Sequence, residues 1–517
     1  MMAKKKNDAT LGLLLFAGGG CLFLYAMFDD WGWNQKWAFS GVGVVSFLSF
    51  LVFSLFQKST GVTKETVRGM DFIEPKAFYG LAKKLLKSKR AVAGIELHPD
   101  IIMDRAAEAE HISVIGTTGA GKTKGVLNRI YQEAAKRGDK IILWDVKGDF
   151  TEAIAGHNNV KLVAPWDSRS LNWDIAADIT RSEDADMIAE SAIPDGTDEK
   201  ESFFRKQARA VFSAILQCLW NEDRLTWANL SDCIYDQDET LILLSQYRTG
   251  QQVMSYIERE GGQSQATWTT LLDNVGKWIT KAERAWAGEG ESLRSWLTSP
   301  GGGTLILRYS PEHPDLSASI CAMVTSLLIN ALLAQKEDEN RAVWFLMDEM
   351  ANFPKVGNLK RGITLARDRG GRFVLSAQDV TQLFPIYGKE VTKTLINQCN
   401  TQIWLRANDE ENAKLASGSL GNKEELLTKT SESQAQEMGS KKSFSTSQDL
   451  RTVAVVEPGE IMALRHAKNI PNGGAEGFFK MSGVQGVTKL VWPLTIMEKS
   501  YRTENLAEWV HEREQKI

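Results

Sequence analysis

Eight consecutive residues, Gly116-Thr117-Thr118-Gly119-Ala120-Gly121-Lys122-Thr123, constrain this chain more than any other stretch. They fit the spacing G-x-x-x-x-G-K-[ST] and fall between an apolar, β-branched run, His111 to Ile115, and a helical pattern from Lys122 to Lys136. Glycine allows backbone angles that turn successive N–H groups inward, and the helix that follows adds partial positive charge, so the junction forms an anion cradle. In such a cradle Gly116 to Gly121 surround the phosphates, Lys122 reaches the β and γ phosphates, and Thr123 ligates Mg²⁺. The expected ligands are therefore ATP and Mg²⁺. The alternative, a chance glycine turn, is weakened by the strand before the loop and the helix after it.

The same pattern sets the fold class. Lys140 to Trp144 reads as a buried strand, and further strand-like runs occur at Val160 to Val163, Thr304 to Leu307, Val343 to Met347, Arg372 to Ser376 and Thr401 to Leu405. Helical stretches such as Ser317 to Gln335 separate most of them, which is the signature of a parallel α/β sheet. Between Val163 and Thr304 the text changes character. From Asp178 to Ser299 it is helical, as in Phe203 to Leu219 and Trp268 to Trp286, with few β-branched runs. The expectation is an α/β, RecA-like nucleotide-binding domain in two parts, 61–177 and 300–517, with an inserted all-α domain at 178–299. Thr428 to Asp449 is rich in Ser, Thr, Gln, Lys and Glu and reads as a flexible loop. Asn505 to Ile517 reads as a short charged helix.

Ahead of the soluble part, Leu11 to Phe28 and Trp37 to Phe56 are apolar runs near the ~20 residues that span a bilayer. Lys4, Lys5 and Lys6 precede the first, and a basic stretch from Lys58 to Arg90 follows the second, so both termini are expected on the cytoplasmic side. Residues 1–60 are thus expected to be a two-helix transmembrane hairpin, making a multi-pass membrane protein whose soluble part lies in the cytoplasm. The formal net charge of -4 provides no global basic field, so any nucleic-acid surface must be local. The five cysteines and six histidines are dispersed and suggest neither a disulfide framework nor a metal cluster.

A second group of residues carries chemistry. Ala342 to Met347 is an apolar strand leading into Asp348 and Glu349, which places two acids at the carboxyl edge of the sheet, where α/β ligands bind. Asp348 is expected to hold the Mg²⁺ shell with Thr123, and Glu349 to polarise the attacking water. The strand Arg372 to Ser376 leads to Gln378, an amide able to sit between the acids and the γ-phosphate. Arg367, Arg369 and Arg372 cluster just before that strand, and one of them is a candidate to reach a neighbouring subunit's nucleotide. Each of these polar residues has a plainer alternative as a solvated strand end or loop.

These motifs together resemble the type IV secretion coupling proteins. The resemblance runs through the apolar hairpin, the Gly116 to Thr123 loop, Asp145-Val146-Lys147-Gly148-Asp149-Phe150, Leu171-Asn172-Trp173, Phe203-Phe204, Ser292-Leu293-Arg294-Ser295-Trp296-Leu297, Asp348-Glu349, and Val453 to Leu464 as a closing strand and helix. Gln378 matches the family's glutamine, and Arg367, eleven residues before it, matches its arginine finger. Val146 stands where the family has proline, and no long acidic tail follows. The resemblance implies a homohexameric ring with nucleotide sites between subunits and a central channel. Its partners would be DNA, single-stranded and without sequence preference, a relaxase or effector protein, and the subunits of the secretion channel. The leading expectation is an ATP-driven DNA translocase. A protein-effector coupling ATPase and an ATP-regulated receptor or gating platform are the alternatives.

Overall fold

The computed structural model describes residues 61–87, 91–196, 198–258, 261–353, 355–433 and 443–511. Both apolar runs expected to form the membrane hairpin lie outside them. The described residues fall into two bodies. The smaller carries a three-stranded sheet in the order β1 (Gly61–Gly69), β11 (Asn422–Ser433), β12 (Ser443–Ala454). Here the expectation of a flexible loop over Thr428 to Asp449 is corrected: strands β11 and β12 take up most of it. Sequences such as Asn-Lys-Glu-Glu-Leu-Leu-Thr-Lys-Thr lack the apolar alternation that announces a strand with one buried face, so composition alone reads as loop.

The larger body is built on a nine-stranded sheet. Its strands are β4 (Ile112–Ile115), β5 (Lys140–Asp145), β6 (Val160–Val163), β7 (Gly303–Arg308), β8 (Val343–Met347), β9 (Gly371–Ala377), β10 (Thr401–Leu405), β13 (Ala475–Lys480) and β14 (Val487–Trp492), in the order β14-β13-β10-β4-β9-β8-β5-β7-β6. Strands β10 through β6 in that order are all parallel, and β13 and β14 close one side antiparallel. Every residue of β4, β5, β7, β8, β9 and β10 is buried, as befits strands covered on both faces by helices. A separate antiparallel pair, β2 (Ala93–His98) and β3 (Ile101–Asp104), precedes the sheet. Because the central strands run one way, the residues that end β4, β9, β8 and β5 share one edge. That edge carries Gly116, Gln378, Asp348 and the turn after Asp145.

Among the described residues the one helix long and apolar enough to cross a membrane is Pro314–Leu333, and 78% of its apolar window is buried inside the protein. It is the core helix under the sheet, locked by a hydrogen bond from Trp144 Nε1 to Thr325 Oγ1 at 2.9 Å.

Between β6 and β7 the chain is helical, from Ser182–Ala192 and the long Glu199–Asn221 through Trp227–Tyr235 to Lys277–Ala285 and Leu293–Thr298. Its two ends are stapled by one buried carboxylate. Asp178 accepts from Ser292 Oγ at 2.6 Å, Leu293 N at 3.0 Å and Arg294 N at 2.9 Å, and from Trp173 Nε1 at 2.7 Å. Burial pushes the Asp178 carboxyl up, against the pull of those donors. Trp173 packs in turn with Trp227 and Trp286, the three ring centroids 5.0 to 5.8 Å apart. The motifs Leu171-Asn172-Trp173 and Ser292 to Leu297 thus meet where the helical segment leaves and rejoins the sheet.

At the C-terminal end the described chain returns along the sheet edge. Lys499 pairs with Asp149 at 2.9 Å, Asn505 N donates to Asp167 Oδ2 at 3.0 Å, and Trp509 Nε1 donates to Pro165 O at 3.0 Å. Its helix is one turn, Glu508–His511.

Candidate nucleotide site

The loop after β4 is held from both sides. Gly116 N donates to Ala377 O at 3.2 Å, at the end of β9, and Thr117 N to Arg406 O at 2.9 Å, just past β10. A Cβ on Gly116 would lie 2.5 Å from Leu405 Cβ, so only glycine lets the loop leave between those strands. Gly119 (φ 79°) and Gly121 (φ 97°) adopt left-handed backbone, which turns the chain into the helix. The helical pattern expected as one element is divided: a wide π turn, Lys122–Leu127, precedes the α-helix Asn128–Arg137. From the far side, Ala467 N donates to Gly119 O at 3.1 Å, and His466 Nδ1 stands 3.6 Å from where a Cβ on Gly119 would be.

Lys122 is 7% exposed, and its Nζ donates back to Gly116 O at 2.5 Å across the loop. Burial pushes its pKa down, while Glu349 and Asp348 raise it in part. Thr123 Oγ1 donates to Asp348 Oδ2 at 3.2 Å, and Ser376 Oγ to Asp348 Oδ1 at 3.4 Å. Burial pushes the Asp348 carboxyl up to about 6, opposed by Lys122 and assisted by Glu349. Glu349 is buried and stands in left-handed backbone (φ 57°), uncommon for a residue with a side chain. It accepts from Gln378 N at 3.3 Å and Gln378 Nε2 at 3.0 Å. The other end of that amide, Oε1, accepts from Thr118 Oγ1 at 2.7 Å. Thr118, Gln378 and Glu349 therefore form a relay from the glycine loop to the second acid. Gly116 to Thr123, Asp348, Glu349 and Gln378, all chosen from sequence, gather within one edge of the sheet.

Arg367 stands elsewhere. It lies before the start of β9, whereas Gln378 follows its end, and seven residues of strand span roughly 20 Å at ~3.3 Å each. It is on the opposite edge of the sheet from its own phosphate loop. Its side chain is 48% exposed and its Nη2 pairs with Glu110 Oε1 at 2.7 Å. The other two arginines of the cluster are occupied. Arg372, 1% exposed, pairs with Glu108 at 3.0 Å and lies over the Trp344 ring, and Arg369 donates to Leu365 O at 3.1 Å.

Sequence reasoning did not find Ser376, Arg406 or His466, none of which belongs to a motif. Lys147 is exposed, and Asp149 pairs with Lys499. Asp145 is structural: it accepts from Gly148 N at 2.9 Å, Thr151 N at 2.7 Å and Thr151 Oγ1 at 2.7 Å, and so shapes the turn that carries Lys147.

Comparison with known proteins places these features in context. The family model of the type IV secretion-system coupling protein DNA-binding domain matches residues 96–475. Coupling protein TraD of Escherichia coli (strain K12) is 28% identical over 333 residues, 63% of this chain and 46% of that protein, so the chain matches about half the length of this curated relative. Among solved structures, plasmid coupling protein TrwB in complex with ADP and Mg²⁺ aligns with a TM-score of 0.70 at 19% identity, covering 87% of this chain and 99% of that one. The unbound monoclinic form of the conjugative coupling protein TrwBdeltaN70 aligns at 0.69 with 20% identity, covering 87% and 97%.

Proposed function

This chain belongs to the type IV secretion-system coupling protein family, and from that premise we propose that it is an ATPase that couples hydrolysis to the recruitment and passage of single-stranded, relaxase-linked DNA through a secretion channel. It acts as a homohexamer anchored in the bacterial inner membrane by residues 1–60, with 61–177 and 300–517 as the nucleotide-binding domain and 178–299 as an all-α insertion.

The observation that carries the reading is the convergence of a buried phosphate-loop lysine, a Thr123–Asp348 pair and the Thr118–Gln378–Glu349 relay at one sheet edge. The residues fit a nucleoside triphosphate with Mg²⁺. Among the described residues Thr117 Oγ1 is buried without a partner, Lys122 is an ammonium whose burial favours a phosphate close by, and Thr123 with Asp348 provides the oxygen donors a hard cation requires. Thr123 Oγ1 and the Asp348 carboxylate are the groups that would hold the cation. Bound there, Mg²⁺ supplies charge neutralisation across the phosphate oxygens. Glu349 accepts the proton of the attacking water, and Gln378 fixes the carboxylate that does so. Arg367, on the opposite edge, serves the nucleotide of the next subunit in the ring.

The family's DNA-binding domain supports DNA as the substrate. The test is ATP turnover by the full-length protein in lipid nanodiscs, with single-stranded DNA, double-stranded DNA or neither. Stimulation by DNA that weakens with salt supports translocation of a polyanion. Turnover indifferent to DNA transfers the reading to an effector protein, and ATP binding without turnover leaves a receptor or gating platform.

A further inference from the structure

Arg367 is held in a way that an ordinary surface arginine is not. Glu110 lies two residues before β4, and its carboxylate is tied from three directions: Oε1 accepts from Arg367 Nη2 at 2.7 Å, and Oε2 accepts from Asn400 Nδ2 at 3.0 Å and from Ser482 Oγ. Asn400 sits at the entry to β10, and its own N–H donates to Glu110 O at 2.9 Å. Ser482 lies in the turn between β13 and β14. Burial alone would raise the Glu110 carboxyl, but these three donors bring it below the ordinary carboxylate value.

An exposed ion pair is weak, about 0–1 kcal/mol, largely because two long side chains must be immobilised together. Here the carboxylate is already fixed by Asn400 and Ser482, so only the arginine loses freedom. Among the described residues Nη2 is the only atom of the guanidinium with a partner, and Nε and Nη1 are left to other acceptors.

The next residue grips the backbone on both sides of Arg367. His111, buried and in left-handed backbone (φ 62°), donates from Nε2 to Ile363 O at 2.8 Å and accepts at Nδ1 from Phe373 N at 3.2 Å. Ile363 belongs to the helix Leu359–Leu365 before Arg367, and Phe373 to β9 after it. From His111 the chain runs through β4 directly into Gly116. Four strand residues therefore join the support of Arg367 to the subunit's own phosphate loop.

We infer that Glu110 is a positioning residue for Arg367: anchored by Asn400 and Ser482, it holds the guanidinium by one edge and presents the remaining donors to the phosphates of a neighbouring subunit's nucleotide. The inference rests on the reading that Arg367 acts between subunits. Through β4, the position of Arg367 is tied to the loop that holds this subunit's own nucleotide, so each site is set by the one beside it.

The experiment is a double-mutant cycle on ATP turnover by the full-length protein in nanodiscs, with Glu110→Gln, Arg367→Ala and the pair. Arg367→Ala is expected to lower kcat by about 10³-fold or more, as for a trans-acting arginine. Glu110→Gln removes the charge at nearly constant shape and is expected to lower kcat by about tenfold to a hundredfold with KM for ATP within about twofold. In the Arg367→Ala background the same change should have no further effect. Asn400→Ala, which loosens Glu110 without touching Arg367, should lower kcat less, in the same direction. A strong Arg367→Ala defect beside unchanged or raised turnover in Glu110→Gln overturns the positioning role. A Glu110→Gln loss that persists at full size without Arg367 also overturns it, by showing a merely structural effect. Unchanged turnover in Arg367→Ala removes the underlying reading of Arg367 instead.

Discussion

Replacing Gly121 by alanine probes the phosphate cradle where it turns into the helix. The added Cβ meets two separate penalties. The backbone at φ 97° is left-handed, which costs a residue with a side chain about 1–2 kcal/mol. The new methyl would also stand 2.8 Å from Ala475 Cβ and 3.2 Å from Ala475 Cα. Ala475 has no side chain to swing aside, and its strand β13 is locked in register against Trp492, so the contact adds a further ~1–3 kcal/mol of overpacking. If the loop relaxes out of its cradle shape to escape this strain, the sum of about 2–5 kcal/mol is lost from nucleotide binding, a weakening on the order of 30-fold to several thousandfold. Titration of the full-length protein with a fluorescent ATP analogue measures it directly. Ala475→Gly in the same chain should recover the contact share and leave the backbone share. Gly418→Ala, in a helix where the Cβ meets nothing within 4 Å, should leave binding unchanged. Binding by Gly121→Ala within threefold of the parent would refute the argument that this backbone shape makes the site.

Other perturbations test the frame around the site. Glu108 is fully buried and pairs with both Arg137 and Arg372, so Glu108→Ala strands the buried Arg372 guanidinium and should cost about 3–5 kcal/mol in urea unfolding; a loss under ~1 kcal/mol would contradict the network. Burial lowers His111 to about 4 from the ordinary 6.5. The unfolded chain then takes up a proton near pH 6.5 that the folded chain refuses until about pH 4, so this group's contribution is complete above pH 6.5 and falls by about 2 kcal/mol at pH 5. His111→Gln should remove that part of the acid sensitivity in thermal melts, and equal slopes for both proteins would exclude it. Asp348, raised to about 6, has the opposite sign: the folded chain keeps a proton that the unfolded chain releases, so acidification from pH 6 to 4 favours folding through this group. The same protonation competes with a cation, so Mg²⁺-dependent nucleotide binding should weaken as pH falls below about 6. A flat profile down to pH 5 would show that Asp348 is not a ligand.

Most of the parallel sheet was legible because its central strands are buried on both faces and read as largely apolar runs. Val160 to Val163, Val343 to Met347 and Thr401 to Leu405 match their observed spans end to end, and β5, β7 and β9 differ by a residue or so at their ends. The antiparallel edge was not legible. β13 carries Gly477, whose Cβ would lie 2.6 Å from a Leu405 methyl, so a residue required by close packing interrupts the apolar pattern. A closing helix does follow Val453, at Pro458–Met462, but the strand containing Val453 belongs to the three-stranded sheet and not to the central one. Polar β11 and β12 escaped for want of an apolar alternation in their sequences. At the site, glycine spacing and paired acids announced themselves because their chemistry needs fixed residue types. Ser376 and His466 come from segments distant in sequence and meet the loop only through the sheet order. Arg367 was legible as a candidate, but its carboxylate partner Glu110 lies 257 residues away and no local pattern reveals it.

The central claim is that the acid pair drives hydrolysis coupled to a polyanionic substrate. Its most direct test is ATP turnover by the full-length protein in nanodiscs, with and without single-stranded DNA at two salt concentrations, beside Glu349→Gln. The account predicts DNA-stimulated turnover that weakens at the higher salt, and a variant that binds ATP normally but turns over about 10²- to 10⁴-fold more slowly. Turnover by Glu349→Gln equal to the parent's would contradict the account.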